Sequence, residues 1–266
     1  MMIINCSALA ASHLYGKYKK NSDEGFFEPS SMGNQTIMDR QLDVKNKDII
    51  QWVVHAVKIG RSTCLIAMEY QTRWVHVIHQ VPKGDVTNFI ERLNSRLISG
   101  IEWLGDDFSL FSIKDMERSI DRYFRQHKEV RFYQQTDASV MAHISQVSAE
   151  YNYVYSNVGS FPDDEETALG FDLKMNDTLR SSKNSKSYAK PLESMLERWI
   201  ISYVKMSPSR AAQLMERVKS LNSMAYGLQT TASIEKHFPD GSVTITPIES
   251  ESEKIIDLMK FKNSKK

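Results

Sequence analysis

His55, Arg61 and Arg73 stand around one stretch of alternating apolar sequence, and their side chains are the ones in this chain best suited to holding an anion. A guanidinium offers a planar fork of N–H donors that matches a carboxylate or phosphate, so Arg61 and Arg73 can converge with His55 on such a group. The competing use is structural, because the same donors satisfy buried carbonyls and carboxylates, and the residue types alone favour it. Farther along, Asn176, Asp177 and Arg180 form a polar knot at the end of an expected strand, where Asn and Asp also stabilise ordinary turns. A polar site uniting His55, Arg61, Arg73 and Asp177, with His55 and Asp177 as the catalytic groups, is the form an enzyme would take here.

Other pairs carry less. His76 and His79 are three apart on an expected strand, where side chains alternate between faces, so they cannot chelate one metal together; the sequence implies no metal and no cofactor. Cys64 with His55 has the composition of a nucleophile and its base, but Cys64 lies between apolar neighbours, where a thiol pKa rises. The chain has no phosphate-binding glycine loop, no paired-cysteine motif, no nucleophile elbow and no His-Glu-x-x-His. Familiar enzyme classes are therefore disfavoured.

A nucleic-acid surface would need a local basic patch, because the net charge of +1 supplies no field over the whole molecule. Arg118, Arg122 and Arg125 share a helical face near Arg131, and Lys183, Lys186 and Lys190 follow in a basic loop. Asp115, Glu117, Asp121 and Glu129 are interspersed with them, the pattern of a solvated, salt-bridged face.

These residues must be positioned by an α+β fold. Trp52 to Ile59, Thr63 to Met68 and Trp74 to Val81 read as three strands, with a turn signal at Gly60-Arg61-Ser62 after the first and Pro82-Lys83-Gly84 bounding the third. Asp85 then caps a helix whose Val86, Phe89, Ile90, Leu93, Leu97, Ile98 and Ile101 recur at steps of three and four. Met2 to Cys6 is an opening strand followed by a helix that Ser7 caps; Lys17 to Lys47 is a polar insertion. Ser112-x-x-Asp115 starts a helix over 113–127, Val130 to Tyr133 is a strand, and Asp137 caps a helix carrying Val140, Ile144, Val147 and Tyr151. The acidic run Asp163 to Glu166 reads as a solvated loop, Ala168 to Met175 as a returning strand, and Arg180 to Lys190 as mobile.

Beyond that, Pro191 opens a helix ending before Ser207-Pro208, and a second helix runs to Gly227. Asp240-Gly241 marks a β-hairpin between Ile234 to Phe238 and Val243 to Thr246, and Lys254 to Phe261 can form a last helix. The expected architecture is a small, mostly antiparallel sheet with packed helices and a C-terminal helical hairpin. An α+β domain spans 1–190, and a helical-hairpin and β-hairpin extension spans 191–266. Trp199 and Tyr203, residue types enriched at interfaces, make that helical hairpin a candidate homodimer surface, with the core as the simpler destination. With 41% hydrophobic residues the chain can bury a core, its two cysteines (Cys6 and Cys64) suit a reducing compartment, and no run of about 20 apolar residues or signal-like start occurs. A cytoplasmic location without membrane contact follows.

Met2-Ile3-Ile4-Asn5-Cys6-Ser7, Trp52 with His55-Ala56, Gly60-Arg61 before Cys64-Leu65-Ile66, and Thr72-Arg73 together resemble an uncharacterised bacterial domain family of unknown function, mainly over the first half, with Met175-Asn176-Asp177 a later element. The resemblance implies a bacterial or mobile-element protein of unsettled activity and supplies no catalytic residues. The polar insertion and the helices beyond Pro191 depart from the family's compact form. The functional expectation is a non-catalytic accessory protein that binds a macromolecular partner, nucleic acid or protein, with mobile-element or phage-defence biology implied by the resemblance alone. The alternative is the enzyme with the His55, Arg61, Arg73 and Asp177 site.

Overall fold

A computed structural model describes residues 1–15, 27–28, 49–162, 164–181, 188–231, 233–237 and 243–247. The chain divides into two compact units, Met1–Ser207 and Pro208–Lys266. The first unit is α+β and is built on a six-stranded sheet comprising β1 (Met2–Cys6), β2 (Phe27–Glu28), β3 (Ile50–Ile59), β4 (Ser62–Glu69), β5 (Val75–His79) and β6 (Val130–Tyr133), in the order β2-β6-β1-β3-β4-β5.

Half of this sheet is the expected antiparallel meander, with Trp52 opposite Glu69 in β3–β4 and Cys64 opposite His79 in β4–β5. The other half is parallel, since β1 lies between β3 and β6 and β6 also pairs with β2. The sheet is thus mixed. Tight turns close the antiparallel half, whereas parallel neighbours need long crossovers whose pairing leaves no local signal in sequence. At the β3–β4 turn Gly60 has φ +57, and a Cβ there would run into the Tyr155 ring.

Helices cover both faces, which is why every residue of β1 and β5 is buried. After α1 (Ala8–Tyr15) come α2 (Val86–Asp107), α3 (Ile113–Gln126) and α4 (Ala138–Val158). Each of these three carries its expected cap: Asp85 accepts from Asn88 N, Ser112 from Asp115 N, and Asp137 from the amides of Ser139 and Val140. Val140, Ile144, Val147 and Tyr151 of α4 pack against Val53, Ile66, Val75 and Val77, the face on which odd-numbered β5 residues lie. The ring of Trp74, next to Val75 and on the opposite face, meets Gly100 of α2.

Two segments depart from expectation. Residues 165–176 form a helix, α5 (Glu165–Asn176), where Ala168 to Met175 read as a strand. Leu169, Phe171, Leu173 and Met175 imitate a period of two, but Asp164 accepts from Thr167 N at 2.7 Å and so nucleates a helix. Glu165 and Glu166 complement its N-terminus instead of lying in a loop, while Ala168, Leu169, Asp172, Leu173 and Asn176 are buried at helical spacing. The ends of the stretch expected to be mobile also pair, Arg180–Ser181 (β7) running antiparallel to Tyr188–Ala189 (β8).

Helix α6 (Pro191–Trp199) continues into a π-helical turn, Ile200–Val204, that ends at Lys205 with φ 65. Trp199 and Tyr203 are buried in the first unit, their rings 5.4 Å from that of Tyr123 in α3, so the aromatic side chains that suggested a dimer interface are spent inside the chain. The second unit contains α7 (Pro208–Thr231), which runs through Gly227, and the expected hairpin of β9 (Ser233–His237) and β10 (Val243–Pro247). The bulk of the polar insertion and the helix expected over Lys254 to Phe261 lie outside the described residues. No helix of the described residues is long and apolar enough to cross a membrane.

Candidate functional site

Strand β5 is an outer strand, and its outward-facing backbone groups would normally require another strand or water. Side chains of α5 and α2 meet them instead. Val75 N donates to Asn176 Oδ1 at 2.7 Å and Asn176 Nδ2 returns a bond to Val75 O at 2.9 Å. One helical turn earlier, Asp172 Oδ1 accepts from Val77 N at 2.9 Å, while Arg96 Nη2 donates to Val77 O at 3.0 Å and Arg92 Nη1 to His79 O at 2.6 Å. The i, i+4 spacing of Asp172 and Asn176 lets one helix face imitate a strand edge.

The other oxygen of Asp172 accepts from His76 Nδ1 at 2.8 Å, and His76 Nε2 accepts from Trp74 Nε1 at 2.7 Å. Those partners make His76 a neutral imidazole; burial pushes its pKa down, against the pull of Asp172. A carboxylate–histidine pair of this kind serves catalysis when a substrate can reach it. Here His76 and Asp172 are 0% exposed and every polar atom of the pair is occupied, so the network holds the sheet edge. His79 points to the other face, as its spacing from His76 required, bonded to Pro162 O at 3.2 Å and stacked on Phe161.

The second polar cluster is buried too, but its donors are not all met. Glu69, fully buried, spends one oxygen on the amides of Gln71 and Thr72 and on Thr72 Oγ1, and pairs the other with Arg198 at 2.8 Å. This carboxylate-centred turn delivers Arg73 at φ 63, with its guanidinium over the Tyr70 ring. Arg73 Nη1 donates to Tyr70 O and Nη2 to Ser139 Oγ at 3.4 Å. Arg180 donates through Nη2 to Met175 O at 3.0 Å, and its neighbour Ser181 accepts from His143 Nε2 at 3.0 Å.

Ser139 and His143 are one turn apart on α4, so this helix face draws the two arginines together. They are 3% and 5% exposed, and Nε of both and Nη1 of Arg180 have no acceptor among the described residues. Burial and the charge of Arg73 bring the Arg180 pKa down to about 10. Burial also lowers that of Arg73, against the opposing effects of Glu69 and Asp137.

The remaining sequence candidates do not join this cluster. Arg61 is exposed in the β3–β4 turn, at the opposite end of β4 from Arg73, which at about 3.3 Å per residue separates the two by roughly 25 Å. His55 lies on β3, where its Nδ1 is 2.9 Å from Ser7 Oγ, the cap of α1, and burial lowers its pKa. Cys64 is a buried core thiol whose pKa is pushed up to about 12. Asp177 ends α5 and holds Lys190 Nζ at 2.7 Å.

On α3, Arg118 is exposed, whereas Arg122 Nη1 caps the carbonyls of Tyr203 and Val204 at 2.6 and 3.1 Å and Arg125 Nε bonds Asp121 O at 3.1 Å. Lys183 and Lys186 lie outside the described residues. The sequence named Arg73 as an anion ligand but paired it with the wrong neighbours, and read Arg180 only as part of a turn. The one local hint was a run from Arg180 to Lys190 containing basic residues and no acidic one.

Fold and site together define an α+β protein with a closed polar network along one sheet edge and an open arginine pair beside it. The chain belongs to the family described as Domain of unknown function (DUF6933), whose model matches residues 20–194. The matched stretch includes Arg73, Arg96, Asp172, Asn176 and Arg180; it begins after Met2 to Ser7 and extends well past the first half of the chain, taking in most of the polar insertion. No curated protein and no solved structure matches the chain.

Proposed function

We propose that this chain is a non-catalytic accessory protein that binds a macromolecular partner by holding one of its anionic groups between Arg73 and Arg180. The observation that carries the reading is the buried guanidinium pair with three donor nitrogens that no described residue accepts from. Two adjacent buried cations repel one another and have lost their hydration, a cost of several kcal/mol per ion unless an anion compensates it. A bound anion supplies acceptors and cancels the repulsion at once. The scatter of His55, Arg61, Arg73 and Asp177 supports binding over catalysis, since they share no cleft. The face of Arg118, Arg122 and Arg125 contributes less than its sequence suggested, because Arg122 and Arg125 are engaged with backbone carbonyls.

The reading is tested by isothermal titration with small anions at constant ionic strength, beside retention of single-stranded DNA and RNA across a salt series. Expected are saturable binding of an anion at one site in the wild type and its loss in Arg180→Met. Absence of saturable binding by any anion overturns it. A second reading, an enzyme, has the Ser7 Oγ to His55 Nδ1 hydrogen bond in its favour, since a neutral imidazole can take the proton of a serine nucleophile. Covalent labelling of Ser7 by a sulfonyl fluoride, abolished in His55→Ala, is the result that would favour it.

A further inference from the structure

We infer that the Arg73–Arg180 site takes a dianionic phosphoryl group, free phosphate or a terminal phosphomonoester, and not a carboxylate; the inference rests on the anion-binding reading above. Charge is the first argument. Two guanidinium groups lie at the site; Glu69 is paired with Arg198, and Asp137, whose Oδ1 accepts from the amides of Ser139 and Val140 at 2.9 and 3.1 Å, acts on Arg73 through its charge without accepting from either guanidinium. A carboxylate carries one negative charge to share between the two cations, of which only Arg73 feels nearby carboxylates. A phosphomonoester carries close to two at neutral pH, its second pKa lying near 6.

Donor geometry is the second argument. The orphaned nitrogens belong to two separate guanidinium planes, one Nε from Arg73 and Nε with Nη1 from Arg180. Nε and Nη1 of Arg180 lie on opposite edges of its guanidinium, with the engaged Nη2 between them, so one anion can take only one of the two together with the Arg73 Nε. A carboxylate has two coplanar oxygens, suited to a single fork, whereas a phosphoryl group spreads three terminal oxygens about a tetrahedron and can accept from both planes. Ser139 Oγ already accepts from Arg73 Nη2, so its hydroxyl hydrogen can turn toward the same anion. Ser139 also lies in the first turn of α4, a helix of 21 residues whose N-terminal dipole favours negative charge there. The first amides of α4 are taken by Asp137, so the helix acts through its field, with the contacts coming from side chains. An internal phosphodiester, with one charge and two unesterified oxygens, fits less well than a terminal group.

Calorimetric titration with inorganic phosphate and with acetate at constant ionic strength tests the inference, since the comparison needs no variant. Phosphate is expected to bind at one saturable site roughly tenfold or more tighter than acetate, and to strengthen as pH rises from 5.5 to 7.5 through its second pKa. Arg180→Lys, which keeps the charge but loses the fork, and Arg180→Met should each weaken phosphate binding by roughly tenfold or more, while Lys114→Ala, at an exposed position of α3, binds as wild type. A single-stranded oligonucleotide tested with and without a 5′-phosphate separates the sources: competition by the phosphorylated form alone assigns a nucleic-acid end, and no competition by either assigns a small phosphorylated molecule. Acetate binding as tightly as phosphate overturns the phosphoryl assignment and leaves the anion reading standing; binding of neither overturns both.

Discussion

Two buried polar clusters lie near opposite ends of α5, built from the same side-chain types and ending in opposite states. Around Asp172, Arg96, His76 and the edge of β5 meet acceptors, with Arg96 Nε lying 3.0 Å from Glu165 Oε2. Beyond the C-terminus of the same helix, Arg73 and Arg180 converge on nothing but carbonyls and a hydroxyl, with three nitrogens left over. What distinguishes a structural network from a candidate binding site here is the acceptor count. Arginines and burial are common to both.

That contrast can be broken from its closed side first. Asp172→Ala removes the acceptor for His76 and Val77 N and the counter-charge facing Arg96, and is expected to cost about 3–5 kcal/mol in urea unfolding. A loss under about 1 kcal/mol would show that the network is slack. Asn176→Ala strands the buried N–H and C=O of Val75 together and should cost about 2–4 kcal/mol by the same measurement.

Acidification should follow. His76 and His127 both have folded pKa values below the ordinary one, His127 down to about 3 through burial and the neighbouring N-terminal charge. The unfolded chain therefore takes up these protons first. Stability is complete above about pH 6.5 and is lost as pH falls toward the folded values, His127 contributing roughly 2 kcal/mol of loss by pH 5 and His76 adding to it in the same direction. A urea midpoint that stays flat from pH 7 to 5 would contradict this, and His127→Gln should shallow the slope.

The open side should respond least. Arg180→Met gives up one bond to Met175 O and also removes an uncompensated buried charge, so its stability should stay within about 1 kcal/mol of wild type. Arg96→Met, on the closed side, should cost several times more. A severe loss in Arg180→Met would mean that the cation is structural.

Sequence reading recovered the elements governed by local rules. Caps at Asp85, Ser112 and Asp137 and apolar steps of three and four located α2, α3 and α4, and alternation with turn signals located β3 to β5. It failed where two periodicities overlapped. Leu169, Phe171, Leu173 and Met175 alternate convincingly, and only the Asp164 cap and the burial of Asp172 and Asn176 choose the helix. The parallel pairs of β1 were invisible because its partners sit far along the chain.

The open site was half legible for the same reason. Arg73 stood out by its type, but Arg180 reaches it only through the folding of α4 and α5. The basic face of α3 was overread, since nothing local in Arg122 reveals that it caps carbonyls some 80 residues on.

The side-chain cover on β5 matters for solubility as well as for stability. A bare outer strand offers a row of donors and acceptors on which a second chain can template, the usual seed of edge-to-edge aggregation. With Asn176, Asp172, Arg96 and Arg92 occupying that row, this edge of the sheet offers no ladder for another molecule to join. Substitutions at Asn176 should therefore favour sheet-to-sheet association at protein concentrations where the wild type remains dispersed, even where most of the population is still folded.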